Sequence, residues 1–131
     1  MEERQARDLA IEAALAADST RAQGLKALDV SDRLPLADVF LLATGSNQRQ
    51  VDAIVEAVEE RLGKLGVRLR SREGRSGARW VLMDFGSLVV HVMHAEDRDF
   101  YALDKLWKDC PTVDLPGVVG EEPAMRAAVG A

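Results

Sequence analysis

The spacing of apolar positions changes period several times along this chain, and each change marks an element. Ala6, Leu9, Ala10, Ala13, Ala14 and Ala17 recur at helical spacing and predict a helix over residues 5–23. Its stripe is mostly alanine, so the helix can approach a sheet closely, and Gly24 is the expected stop. Residues 25–30, L-K-A-L-D-V, alternate and predict a short strand, placed at a sheet edge because it carries charge. Val39, Phe40, Leu41, Leu42 and Ala43 form an unbroken apolar run, which suits a strand covered on both faces. Thr44-Gly45-Ser46-Asn47 then turns the chain into a second helix. Asn47 with Gln50 three residues on resembles a capping box, with Asn in place of Ser or Thr. Val51, Ile54, Val55, Val58, Leu62 and Leu65 give that helix the cleanest stripe in the chain, and Gly66 ends it.

Residues 67–70, V-R-L-R, alternate strictly and predict a strand with one wet face. Residues 73–77 are a Gly/Ser/Arg loop. Residues 80–85 and 88–93 predict a hairpin turning at Gly86-Ser87, which pairs Phe85 with Leu88, Leu82 with His91 and Trp80 with Met93. Trp80, Leu82, Asp84, Val89, His91 and Met93 then share one face. Val81, Met83, Phe85, Val90 and Val92 share the other, which is more uniformly apolar and is the better core face. A last helix is expected from Asp97, as N-cap, to about Lys108, with Pro111 ending it. Phe100, Leu103 and Trp107 lie on one stripe of that helix and Tyr101 beside it. From Pro111 on, Pro, Gly, Ala and Val follow no period, which reads as a flexible tail with a short alanine-rich helix over residues 123–129.

The order α-β-β-α-β-β-β-α places the chain in the α/β class, an α+β mixed sheet of about five strands flanked by helices. A single domain over residues 1–110 and a tail over 111–131 are expected. The 131 residues suffice to bury a core without disulfide or metal. The lone Cys110 excludes an internal disulfide and suits a reducing cytoplasm. The charged opening M-E-E-R-Q-A-R-D is no signal peptide, and no apolar run nears the roughly 18–20 residues a membrane span needs. Seventeen basic against 22 acidic residues leave a net charge of −5, which disfavours nonspecific nucleic-acid binding and favours a basic partner. The charge is uneven. Arg68, Arg70, Arg72, Arg75 and Arg79 form a basic island, a candidate peripheral contact for RNA phosphate, although no aromatic in that stretch could stack a base.

Catalytic readings find little support. Thr44-Gly45-Ser46 resembles the opening of a nucleotidyltransferase site, but the next strand carries arginine where Mg²⁺-binding carboxylates are required. Asp84-Phe85-Gly86 matches the kinase magnesium tripeptide without any other kinase motif, and reads as a hairpin turn. His91 and His94 point to opposite faces of a strand and cannot chelate one metal. A triad of Ser87, His91 and Asp84 lacks a nucleophile elbow. No cofactor, metal, small-molecule substrate or enzymatic activity is expected. An aromatic cluster without catalytic groups suits a protein-binding face.

Three segments carry a family resemblance. Residues 37–54 (A-D-V-F-L-L-A-T-G-S-N-Q-R-Q-V-D-A-I), 79–93 (R-W-V-L-M-D-F-G-S-L-V-V-H-V-M) and 98–107 (R-D-F-Y-A-L-D-K-L-W) resemble the ribosomal silencing factor, or Iojap-related, family. The resemblance covers roughly residues 5–110. It implies a nucleotidyltransferase-like core without the catalytic carboxylates. It implies docking on the intersubunit face of the large ribosomal subunit through its fourteenth protein. Joining of the small subunit would then be blocked and translation repressed when nutrients are short, by a protein that is a homodimer when free. Carried over residue by residue, the partner-binding surface falls on Trp80, Asp84, His91, Phe100, Tyr101, Leu103 and Trp107. Two alternatives stay open beside it: a degenerate nucleotide-binding protein, and a dimeric adaptor for a basic protein.

Overall fold

A computed structural model of the chain describes residues 3–74, 78–101 and 103–121, with side chains for 5–74, 78–98 and 105–121. The element order is α1 (Glu3–Asp18), β1 (Gln23–Asp29), β2 (Val39–Gly45), α2 (Gln48–Lys64), β3 (Ser71–Glu73), β4 (Trp80–Asp84), β5 (Leu88–His94), α3 (Ala95–Tyr101), α4 (Leu103–Leu106) and β6 (Thr112–Val113). Six strands form one sheet in the order β3-β4-β5-β2-β1-β6. Among the described strands β2 and β5 pair in parallel and the other neighbouring pairs are antiparallel, with a single parallel bridge from Leu25 of β1 to Glu121. Helix α2 supplies the crossover that a parallel pair requires.

Helices α1 and α2 pack together on one face. The alanine stripe does what its size allows: Ala6, Ala10, Ala13, Ala14 and Ala17 are all fully buried, and α1 lies close against α2 and β2. The stripe of α2 supplies Val51, Ile54, Val55, Val58 and Leu62 to the same core, but Leu65 is 45% exposed because the helix has already ended there. Under the helices sit Val39, Leu41, Ala43, Val81, Met83, Phe85, Val90 and Val92. The hairpin therefore has the expected register and faces: Trp80 pairs with Met93, Leu82 with His91, and Phe85 N–H donates to the Leu88 carbonyl at 2.9 Å. On the far side of the sheet a smaller cluster of Leu28, Val30, Ala37, Phe40, Leu42 and Cys110 covers β1 and β2. With apolar groups on both sides, all seven residues of β2 are buried.

Several expectations are corrected. Helix α1 stops at Asp18, before residue 23, because the Ser19 and Thr20 hydroxyls donate back to the Ala16 and Ala17 carbonyls at 2.6 Å. Gly24 belongs instead to β1, at the register shift between Gln23 and Lys26. Strand β1 is not at the edge: β6 pairs with Ala27 and Leu28, and the charge of Asp29 is met by Arg7 at 2.9 Å. The alternation of residues 67–70 is real, since Val67 and Leu69 pack inward, but the strand ladder begins only at Ser71. The final helix starts at Ala95, directly after β5, so Asp97 lies inside its first turn and is no cap. It pairs with Arg79 instead, at 2.9 Å. The tail expected from Pro111 is packed as far as Glu121. Val113, Leu115 and Val118 are buried, and Asp18 accepts from the Val119 and Gly120 amides at 2.9 and 2.8 Å. The helix expected at 123–129 lies outside the described residues.

A candidate protein-docking face

The site grows from the alternation of β4 and β5. Every second side chain of this hairpin points away from α1 and α2, and among the described residues the chain around Trp107 and the loop at residues 31–38 stand near them. An aromatic row crosses this face from strand to strand. Trp80 on β4 donates its Nε1 proton to Nδ1 of His91 on β5, 3.3 Å away. The His91 ring meets Phe40 of β2 edge to face, with centroids 4.8 Å apart. Phe40 meets Trp107 the same way at 5.0 Å, and the Arg33 guanidinium lies 5.8 Å above the Trp107 ring. Edge-to-face pairs of this kind add roughly 0.5–1.5 kcal/mol each beyond burial.

His91 is only 8% exposed, and burial pushes it down from 6.5 to about 4. It is therefore neutral near pH 7. Because Nδ1 accepts from Trp80, the proton sits on Nε2, which has no hydrogen-bond partner among the described residues. That arrangement rules against the Ser87–His91–Asp84 triad: neither ring nitrogen meets a carboxylate, and Asp84 Oδ1 accepts from the Gly86 amide at 2.8 Å. This last bond, with Gly86 at φ 100°, makes Asp84-Phe85-Gly86 the expected turn. His94 faces the other way, toward α2, where its Nε2 lies 3.1 Å from Gln48 Oε1.

Beside the aromatic row lies a shallow apolar depression of about 280 Å³ between the hairpin and the loop before β2. Leu34, Pro35, Leu36 and Ala37 form one wall, Leu82 and Val89 the other, Phe40 the floor, and Asp84 the rim. Leu36 is 88% exposed. An exposed leucine beside a half-open apolar groove marks a contact surface rather than a core. Sequence reasoning misses Phe40 and the 34–37 wall, because the first reads as core and the second as loop. The available signal is Leu34-Pro35-Leu36, an apolar triplet in a segment that belongs to no stripe.

The structure thus brings together Trp80, His91 and Trp107 of the expected site, linked by Phe40, and places Asp84 on the same face at the rim of the groove. Phe100 and Tyr101 lie on α3 and Leu103 opens α4, the segment that carries the chain from β5 to Trp107; their side chains lie outside the described residues. At the phosphate-cradle candidate, side chains already occupy two amides. Asn47 Oδ1 accepts from Gln50 N–H, and Gln50 Oε1 accepts from Ser46 N–H. The capping box is therefore real, with its return arm shifted by one residue to Ser46.

The sequence profile of the family described as "Ribosomal silencing factor during starvation" matches residues 3–129. The chain belongs to the ribosomal silencing factor family. The ribosomal silencing factor of Bacillus subtilis is 42% identical over 103 residues, covering 79% of this chain and 87% of that protein. A crystal structure of a Chromobacterium violaceum protein superposes with a TM-score of 0.73 at 33% identity, over 92% of this chain and 98% of the other. A mouse protein named "Mitochondrial assembly of ribosomal large subunit protein 1" is 31% identical over 93 residues, 66% of this chain and 39% of its own. The family match runs on through β6, so the segment after Cys110 falls within the matched region. No described helix is long and apolar enough to cross a membrane.

Proposed function

We propose that this protein docks on the large ribosomal subunit with the hairpin face and keeps the small subunit from joining. The supporting observation is the aromatic row Trp80–His91–Phe40–Trp107, held on a face that α1 and α2 leave open and flanked by an apolar groove. The contact set is Trp80, Asp84, His91, Phe100, Tyr101, Leu103 and Trp107, with Leu36, Leu82 and Val89 added by the groove. The partner is the fourteenth protein of the large subunit, on the intersubunit face. A stable interface of this kind buries about 1,200–2,000 Å², and a few buried aromatics dominate its energy. The net charge of −5 favours encounter with a basic ribosomal protein.

The mechanism is steric occupancy in the cytoplasm. A bound factor covers surface that the small subunit needs, translation falls, and the effect serves cells short of nutrients. Free protein is a homodimer. No step requires bond chemistry, so the protein acts as a binding factor and not as an enzyme. Sedimentation of the purified protein with separated subunits through a sucrose gradient tests this. Co-migration with the large subunit and a smaller joined-ribosome peak are expected. Protein left at the top, with joining unchanged, refutes the reading.

A further inference from the structure

The sheet edge beyond β4 carries an arginine row that the docking face leaves unused. From Arg70 the chain runs beside β4: the Arg70 amide donates to the Asp84 carbonyl at 2.8 Å, and β3 pairs from Ser71 with Asp84 to Glu73 with Leu82, while the Val67 amide donates to the Leu62 carbonyl at the end of α2. Val67 and Leu69 turn inward, which leaves Arg68, Arg70 and Arg72 exposed at alternate positions. Arg70 and Arg72 lie about 7 Å apart along the extended chain. Several other described arginines are engaged: Arg7 with Asp29, Arg61 with Glu12, Arg79 with Asp97 and Glu96, and Arg33 over Trp107. Among the described residues no carboxylate lies within 4.0 Å of the Arg68, Arg70 or Arg72 guanidinium. Arg72 Nε donates to the Gly74 carbonyl at 3.3 Å, and the Arg70 guanidinium lies against Gly86 at the hairpin turn. Glu73, the acid of this strand, alternates to the side opposite Arg72.

We propose that Arg68, Arg70 and Arg72 bind the phosphate backbone of an RNA helix, as a second anchor at the sheet edge next to the docking hairpin. The proposal rests on the docking reading: β3 borders the strand that carries Trp80, Leu82 and Asp84, and the register sets Arg72 beside Met83 on the opposite face, so the row meets RNA around the sheet edge and not in the groove. Guanidinium forks match phosphate geometry, and a row at extended-chain spacing can follow one strand of a duplex. Residues 66–79 hold no aromatic that could stack bases along the row, and the proposed contact is to backbone rather than sequence. The chain as a whole is acidic, which confines RNA contact to this edge and makes it effective only once docking has brought the two together.

The test measures binding of the full chain to purified large subunits from 50 to 200 mM KCl, beside a variant carrying Arg68→Gln, Arg70→Gln and Arg72→Gln. The variant is expected to bind more weakly at low salt. Its plot of log affinity against log salt is expected to be shallower by roughly two to three, near one for each phosphate no longer neutralised. An unchanged slope while the parent binds overturns this proposal alone; no binding by the parent overturns the docking reading and the proposal together. Arg68→Gln alone, expected to flatten the slope by about one, serves if the triple variant does not fold. Arg68→Cys with a short photoactivatable arm identifies the partner. Label transferred to RNA supports the proposal, and label transferred only to protein assigns the row to an acidic protein and overturns it.

Discussion

Replacing His91 with glutamine is expected to flatten the fall in stability between pH 7 and pH 5. In the folded chain, burial against Phe40 and Trp80 holds the imidazole neutral, with its titration moved down from 6.5 to about 4. In the unfolded chain the same group titrates near its ordinary value. The folded pKa lies below the unfolded one, so the unfolded state takes up more protons as pH falls, and stability is lost over that window. Integrating between the two values gives a loss of about 2 kcal/mol from pH 7 to pH 5, most of it below pH 6, approaching about 3 kcal/mol below pH 4. Glutamine offers Trp80 an acceptor and does not titrate. Urea unfolding of both proteins at pH 7, 6 and 5 isolates the histidine, because every other group is common to the two. The parent midpoint should drop further than that of the variant. Equal losses in both would mean that His91 protonates as easily folded as unfolded, and the desolvation argument would fail.

Tyr101→Ala is expected to weaken large-subunit binding at least tenfold while the thermal midpoint stays within a few degrees; a parallel collapse of stability would place Tyr101 in the core. Ending the chain after Cys110 removes β6 and the burial of Val113, Leu115 and Val118, each worth about 1.5–3 kcal/mol when complete, and circular dichroism melting should show a large loss or no folded protein. A midpoint unchanged by that truncation would show the segment to be dispensable. Asn47→Ala deletes the bond to the Gln50 amide at the start of α2 and should cost about 1 kcal/mol in urea unfolding, with ribosome binding unaffected.

The hairpin is legible because a period of two leaves little freedom. Once Gly86-Ser87 is the turn, every residue of β4 and β5 has one face, and Trp80, Asp84 and His91 follow from counting. The caps of α2 are legible for a similar reason, since Asn47, Gln50 and Gly66 act within one turn of their own backbone. The edge placement of β1 fails because local charge does not imply exposure. Lys26 and Asp29 sit in an interior strand whose carboxylate is neutralised by Arg7, 22 residues away in the chain. The flexible tail fails because Val113, Leu115 and Val118 follow no period. They are buried one by one against elements formed far earlier, α1 among them.

By itself the sequence determined what period and short-range chemistry can carry: two amphipathic helices, the buried β2, the register of the hairpin, and a face that mixes Trp, Asp, His and Met. The family likeness rests on those same segments. Tertiary structure alone decided which strands are neighbours, because pairing between β2 and β5 or between β1 and β6 joins residues separated by an entire helix or by most of the chain. It also decided that Phe40 and Trp107 extend the aromatic row and that the loop at 34–37 walls a groove. Such contacts are set by where the sheet brings distant segments into van der Waals range, which no local pattern encodes.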